Sequence, residues 1–156
     1  MLKDLAGSFT LSSRTHVEVR SFSGVRIEKL FSLYAHSLAD VHVVVLHVGT
    51  NNVGEESLVL IARFRSLIFR ILYANLSIRV VVSAILPRQG SLRKCQWALS
   101  VRKLELFNRD AGETNVILQA LCHKNGYCFV DGPRELMGML KADSVQPTKR
   151  GSQVSN

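Results

Sequence analysis

The sequence predicts an α/β fold with a mostly parallel sheet. Two observations predict it: two β-branched, almost continuously apolar segments lie within the chain, and segments with helical spacing of apolar residues alternate with them. Strands that are apolar at nearly every position are usually covered on both faces, as central strands of parallel sheets are. The chain has 156 residues, 47% hydrophobic and 21% charged, which suits one globular domain with its own core.

The amino-terminal elements are the weakest in pattern. Apolar residues at positions 1, 2, 5 and 9 predict one or two helical turns at the start of the chain. Residues 16–20 predict a short strand, because they are rich in β-branched side chains. The next helix is predicted over 27–38, since apolar residues recur on one side of it, namely Leu30, Phe31, Tyr34 and Leu38.

The central elements carry the clearest patterns. Residues 41–48 and 78–85 are the two nearly continuous apolar segments, and Pro87 ends the second one. Between them, apolar residues recur at helical spacing from 60 to 72, with polar side chains on the other side. We therefore predict two buried parallel strands joined by an amphipathic helix.

The last predicted elements are a helix and a strand. Residues 116–123 predict part of a helix, and Asn125 with Gly126 forms a plausible C-cap after it. Residues 127–130 predict the final strand, and the polar residues 142–156 predict a loose tail. The alternating order of helices and strands predicts an α/β sandwich with right-handed crossovers.

Composition excludes several function classes. The longest apolar runs are under ten residues, which is too short for a membrane span, and no signal peptide is apparent at the start. Three cysteines are too few for a disulfide scaffold and match no zinc-binding spacing, so we expect neither a metal nor another cofactor. An intracellular, cytoplasmic protein is the resulting expectation.

The net charge of +8 suggests attraction to polyanions. The basic residues are dispersed along the chain, so a solvated surface is the simpler interpretation. A nucleic-acid footprint is the alternative.

Three loops follow predicted strands and are candidates for a site, because chemistry in parallel α/β folds gathers at the carboxyl ends of strands. They span residues 21–24, 49–52 and 86–88. In the second loop, Gly49 would let the backbone approach a ligand closely, and the amide of Asn51 could aim an N–H at an oxyanion. A plain turn is the alternative for this loop, and likewise for Gly24.

Four segments taken together resemble the SGNH hydrolases, which are the GDSL-type esterases. They span 17–24, 44–51, 81–88 and 122–131, in order over nearly the whole chain. The most specific part is Gly-Thr-Asn directly after a Val-rich strand. The sequence is most similar to the esterase-like domains of retroelement open reading frames.

The resemblance implies a flavodoxin-like three-layer α/β/α sandwich and hydrolysis of small esters by a Ser–His–Asp mechanism. Gly24 and Asn51 match the oxyanion-hole glycine and asparagine, with Gly49 and Thr50 in the supporting loop. Asp143 matches the acid of an Asp-x-x-His block. On this basis residues 1–141 form the hydrolase-like domain, and 142–156 hold the remnant of that block and the tail.

Two departures from the family pattern predict an inactive chain, and a third is milder. Gln146 stands where the base histidine belongs, and an amide cannot take a proton from serine near neutral pH. No Gly-Asp-Ser block occurs, so the nucleophile is absent, and residues 1–5 resemble the helix that follows that block. We therefore expect the first strand of the sheet to be missing. Asn52, where the family commonly has Asp, is a milder departure.

Other residues are weak substitutes for the missing groups. Ser8 follows a glycine but lies too far along the predicted first helix to be a nucleophile. His47 lies within a predicted buried strand, so we interpret it as a hydrogen-bonded interior residue, and His123 lies late in a helix. Two alternatives to an inactive esterase domain stay open: a binding module that works beside a nucleic acid, and a degenerate open reading frame without selected function.

Overall fold

The computed structural model describes residues 7–12, 15–88 and 97–132. The chain divides into two compact units, residues 24–132 and residues 1–23 with 133–156. In the smaller unit, the described part is a hairpin of two strands, β1 (Gly7–Ser12) and β2 (Thr15–Val19).

The hairpin corrects two predictions. β1 pairs antiparallel with β2, from Gly7 opposite Val19 to Ser12 opposite Thr15, so residues 7–9 are strand and not the predicted helix. Residues 8–12 alternate polar with apolar side chains, a period of two that favours a strand over the helical spacing taken from positions 1, 2, 5 and 9. The strand predicted at 16–20 forms, but its partner is β1 and not the parallel sheet.

The larger unit contains a three-stranded parallel sheet in the order β3-β4-β5. Its register places Val43 opposite Arg79 and Val81 opposite Cys128. The elements in chain order are α1 (Ile27–Tyr34) with a 3₁₀ turn (Ala35–Ser37), β3 (Val43–Leu46), α2 (Ser57–Ala74), β4 (Arg79–Ser83), α3 (Trp97–Asn125) and β5 (Cys128–Val130). The α/β class with parallel strands and helical connections is therefore confirmed.

Burial follows the position of each strand. In β4 every residue after Arg79 is buried, as predicted for a strand with neighbours on both sides. Val43 at the start of β3 is 41% exposed, so full coverage does not extend to this strand. Both strands are shorter than the apolar segments that predict them, because those segments continue beyond the paired residues.

The three helices bury their apolar stripes. α2 contributes Phe64, Leu60, Leu67, Ile68 and Ile71, which the helical spacing predicted. It packs against both α1 and α3. Because β3, β4 and β5 are parallel and sequential, crossovers of one hand place α2 and α3 on the same face of the sheet, which agrees with the packing of α2 against α3. Within the part of the chain that the structure describes, none of the helices combines the length and apolar character needed to cross a bilayer.

The end of α3 confirms the predicted C-cap. Gly126 has φ +71°, and the N–H of Tyr127 donates to the carbonyl of Cys122 at 2.9 Å. The N–H of Gly126 donates to the carbonyl of His123 at 3.4 Å, which completes a Schellman motif. The helix itself begins at Trp97, well before the predicted residue 116.

Candidate functional site

A tight turn follows β3 at the carboxyl end of the sheet. The carbonyl of Gly49 accepts the N–H groups of Asn52 at 2.9 Å and Val53 at 3.2 Å. Gly49 has φ +105°, and a Cβ there would lie 3.0 Å from the Ile85 side chain and 3.2 Å from Phe64. Both the backbone and the packing beneath the turn therefore require glycine.

Asn51 connects this turn to the loop that precedes α1. Its side chain is exposed, and its Nδ2 donates to the carbonyl of Val25 at 3.0 Å. Val25 follows Gly24, which has φ +73°. The two residues that resemble an oxyanion hole thus lie in adjacent loops. An amide nitrogen carries two N–H groups, so Asn51 retains a second donor beyond the one that holds Val25.

Asn52 is the buried centre of the region, with 1% of its surface exposed. Its Oδ1 accepts the N–H of Ile27 at 3.1 Å, so it caps the start of α1 from a distant loop. Its Nδ2 donates to Glu28 Oε2 and to Glu55 Oε1, each at 3.1 Å. One amide therefore joins the start of α1 to the segment before α2.

Two arginines complete a paired charge cluster around Asn52. Arg63 Nε lies 2.7 Å from Glu55 Oε2, and an Arg63 terminal nitrogen lies 3.3 Å from Glu28 Oε2. Arg26 reaches Glu55 Oε1 at 3.4 Å. A hydrogen bond from its own backbone N–H lowers the pKa of Glu28, with further lowering by Asn52, Arg63 and Arg26 that outweighs partial burial. The cluster therefore braces the loops around Asn52.

Sequence reasoning did not identify this cluster. A signal existed at Arg26, which occupies the N-cap position of α1 and makes no side-chain capping bond. The first N–H groups of α1 therefore need an acceptor from another segment of the chain, and Asn52 Oδ1 is the acceptor for Ile27.

The loop after β4 is held by two asparagines of α3, which the sequence analysis also missed. Asn115 accepts the N–H of Ile85 at 2.8 Å and donates to its carbonyl at 2.9 Å. Asn108 binds the backbone of Arg88 in the same way, at 2.8 and 3.1 Å. The two asparagines are seven residues apart, which places them on one face of the helix, and this spacing was the available signal.

His47 makes the predicted hydrogen bond, but it lies one residue beyond the end of β3 and not within the strand. It is half-buried, and its Nδ1 lies 3.1 Å from Oγ of the buried Ser83. Burial lowers the pKa of its imidazole, so the neutral form is favoured. His123 lies in the last turn of α3, where a cation is favourable.

The remaining predicted site residues divide into two groups. Ser8 lies in β1, so the prediction that places it along a first helix is wrong. Asp143 and Gln146 lie outside the described residues. Among the residues that are described, no three His, Cys, Asp or Glu side chains are grouped as metal ligands. Thr50 is half-buried between Gly49 and Asn51 in the turn.

No protein-family model, curated protein or solved structure matches this chain. The resemblance to the SGNH hydrolases therefore depends on the four sequence segments quoted above. The neighbouring loops that hold Gly24 and Asn51 are the structural feature that bears on it most directly.

Proposed function

We propose that this chain is an SGNH-hydrolase-type esterase domain that does not hydrolyse esters with the residues it has. The observation that carries the proposal is the Asn51–Val25 hydrogen bond, which joins the Asn51 turn to the Gly24 loop at the carboxyl end of β3. Two N–H donors on adjacent loops are what a negatively charged tetrahedral species needs, and such donors contribute about 3–4 kcal/mol in tested enzymes.

The finer fold belongs to the same proposal. A flavodoxin-like α/β/α sandwich has a second helical layer and at least one further strand beside the three described here. The parallel order β3-β4-β5 with helical crossovers supports it, because sequential parallel pairing is one half of such a doubly wound sheet.

Inactivity follows from the groups that would make and relay the attack. The 156 residues contain no Gly-Asp-Ser, and Gln146 occupies the position of the base. Removal of the base from a comparable triad costs on the order of 10⁶ in rate. His47 is no replacement, because the hydroxyl that it contacts belongs to Ser83, which is buried and out of reach of a substrate.

An acetyl-ester assay on the full chain tests the proposal. With p-nitrophenyl acetate as substrate, we expect the full chain to hydrolyse the ester no faster than the Asn51→Ala variant does in the same buffer. Turnover that Ser8→Ala abolishes, but that a bulky Asn51→Trp substitution leaves intact, would overturn both the inactivity and the role of the Gly24–Asn51 loops.

An NMR titration with phenylphosphonate tests whether the Gly24 and Asn51 loops bind an anion, and it does not require enzymatic activity. This anion mimics the tetrahedral intermediate of ester hydrolysis, so we expect shifts at the Gly24 backbone amide and the Asn51 side-chain amide. The side-chain amide of Asn75, which binds backbone carbonyls at residues 38 to 41, is the internal control. Equal shifts at all three groups, or none at Gly24 and Asn51, would contradict the assignment.

A further inference from the structure

The outward side of α2 carries two large aromatic side chains that the core does not use. Phe69 is 69% exposed and Tyr73 is 81% exposed. Their rings are stacked, with centroids 6.2 Å apart and planes 25° apart. The opposite side of α2 already supplies the buried stripe, so packing within the larger unit does not account for this pair.

The charge on α2 is entirely positive. Its 18 residues include three arginines and no Asp or Glu. Arg63 is bound to Glu55 and Glu28, whereas Arg65 and Arg70 are exposed. Arg65 precedes Phe69 by four residues and Arg70 precedes Tyr73 by three, so both arginines lie on turns of α2 next to the ring pair. The Arg70 guanidinium itself lies over the Phe31 ring of α1, 4.4 Å from its centroid. We call Arg65, Phe69, Arg70 and Tyr73 the α2 surface.

An open groove of about 460 Å³ borders the α2 surface. Arg65 and Phe69 of α2 line the groove together with Asn125 at the end of α3 and Tyr127 just before β5. Residues 114–130 contain no Asp or Glu, and they include Lys124 beside the groove residue Asn125. Basic, polar and aromatic side chains thus border part of the groove, and apolar side chains form the rest of its lining, namely Ala62, Ile68, Leu72 and Leu121.

We propose that the α2 surface binds single-stranded nucleic acid. Unpaired bases would stack on Phe69 and Tyr73, and backbone phosphates would pair with Arg65, Arg70 and Lys124. Aromatic rings beside a basic groove are the combination that single strands use, because every base has a face to stack and every nucleotide has a phosphate. The chain's net charge of +8 favours the same polyanion.

The observations favour a nucleic acid over other occupants of the same surface. A lipid bilayer would require a continuous apolar face, whereas the groove is lined partly by Arg65, Asn125 and Ser66. A second copy of this chain would bring the same arginines against one another. The proposal does not depend on the ester-type function, so either can fail without the other.

Fluorescence anisotropy on the full chain tests the proposal, with labelled 20-nucleotide dT and U strands as probes. We expect Phe69→Ala/Tyr73→Ala to weaken binding about 10- to 100-fold, the effect of losing base stacking. Leu106→Ala/Val116→Ala, which removes exposed apolar side chains from α3, is the matched control and should change binding less than twofold. Circular dichroism checks that each variant remains folded, and Phe69→Tyr/Tyr73→Phe should retain binding.

Salt dependence tests the role of the arginines. Each phosphate contact contributes about 0.7 to the slope of log K against log salt for single strands, so Arg65→Ala/Arg70→Ala should reduce the slope by about 1.4. Arg102→Ala/Lys103→Ala on α3 is the charge-matched control. If both pairs reduce the slope equally, the binding reflects net charge alone and the proposed surface is wrong.

Three other results would overturn the proposal. One is the absence of binding to either strand at low salt. Another is competition by a 20-base-pair duplex as strong as that by the single strand. The third is that the Phe69→Ala/Tyr73→Ala variant binds the single strand as well as the parent chain does, but loses binding to phosphatidylserine vesicles or loses self-association in sedimentation.

Discussion

Asn52 shows at the scale of one residue why the chain departs from the pattern that it resembles. An aspartate at this position would place a third carboxylate beside Glu28 and Glu55. The asparagine amide instead donates to both of them while its oxygen accepts from Ile27. The local charges therefore favour an amide over a carboxylate at position 52, because only the amide supplies the two donors that the neighbouring carboxylates accept.

Asn52→Ala should lower the free energy of unfolding by about 2–3 kcal/mol. The substitution removes the acceptor of the buried Ile27 N–H and the donor that binds the carboxylates of Glu28 and Glu55. Asn51→Ala is the matched control. Its side chain is exposed, so we expect a loss below about 1 kcal/mol. Urea unfolding of the two variants measures the difference, and equal losses would show that Asn52 does not organise the loops.

His47 should make stability fall in mild acid. Burial depresses the pKa of the folded imidazole, so the unfolded state takes up a proton first as the pH falls below about 6.5. The contribution of the neutral His47 side chain to stability is complete above that pH, and it decreases as the pH drops towards the pKa of the folded imidazole. Unfolding free energies at pH 7.5 and 5.5 should differ less in His47→Asn than in the parent chain.

His36→Asn is the control for that experiment, because His36 is exposed and lies in the 3₁₀ turn. It should retain the pH dependence of the parent chain. If His36→Asn and His47→Asn flatten the dependence equally, the buried imidazole is not its source.

The turn after β3 is the element on which the site depends most, and two glycines test it. Gly49→Ala combines a positive φ with contact against Ile85 and Phe64, so we expect a loss of about 2–4 kcal/mol. At Gly24 nothing lies within 4 Å of a new Cβ, so Gly24→Ala should cost only about 1 kcal/mol of backbone strain. Thermal or urea unfolding separates the two, and a larger loss at Gly24 would contradict the geometry.

At the same scale, elements with long apolar patterns were predictable and the hairpin was not. The buried stripe of α2 and the cap of α3 follow from local spacing. β1 was wrongly predicted as helix because four apolar residues spread over nine positions fit a helical period by chance, while the shorter alternation at 8–12 fits a strand. The partner of β2 depends on which strand lies nearest along the chain, and no property of 16–20 alone specifies it.

At the scale of the whole molecule, the parallel sheet is what assembles the site. The carboxyl ends of β3 and β4 lie at the same edge, so the turn at 49–52 and the loop at 84–88 become neighbours through Gly49 and Ile85. The start of α1 joins them through Asn52. The residues that meet there are 25 to 36 positions apart, which is why alternation and spacing along the chain do not reveal their contacts.

The sequence by itself determined the α/β class, the segments that contain α1, β3, α2, β4 and β5, the last part of α3, and the candidates Gly24 and Asn51. These depend on local periodicity and on residue types that follow strands. Only the tertiary structure decided that Glu28, Glu55 and Arg63 pair around Asn52, and that Phe69 with Tyr73 faces solvent. Pairing and exposure are set by which side chains approach one another in space, and in this protein those approaches are made by elements far apart in the chain.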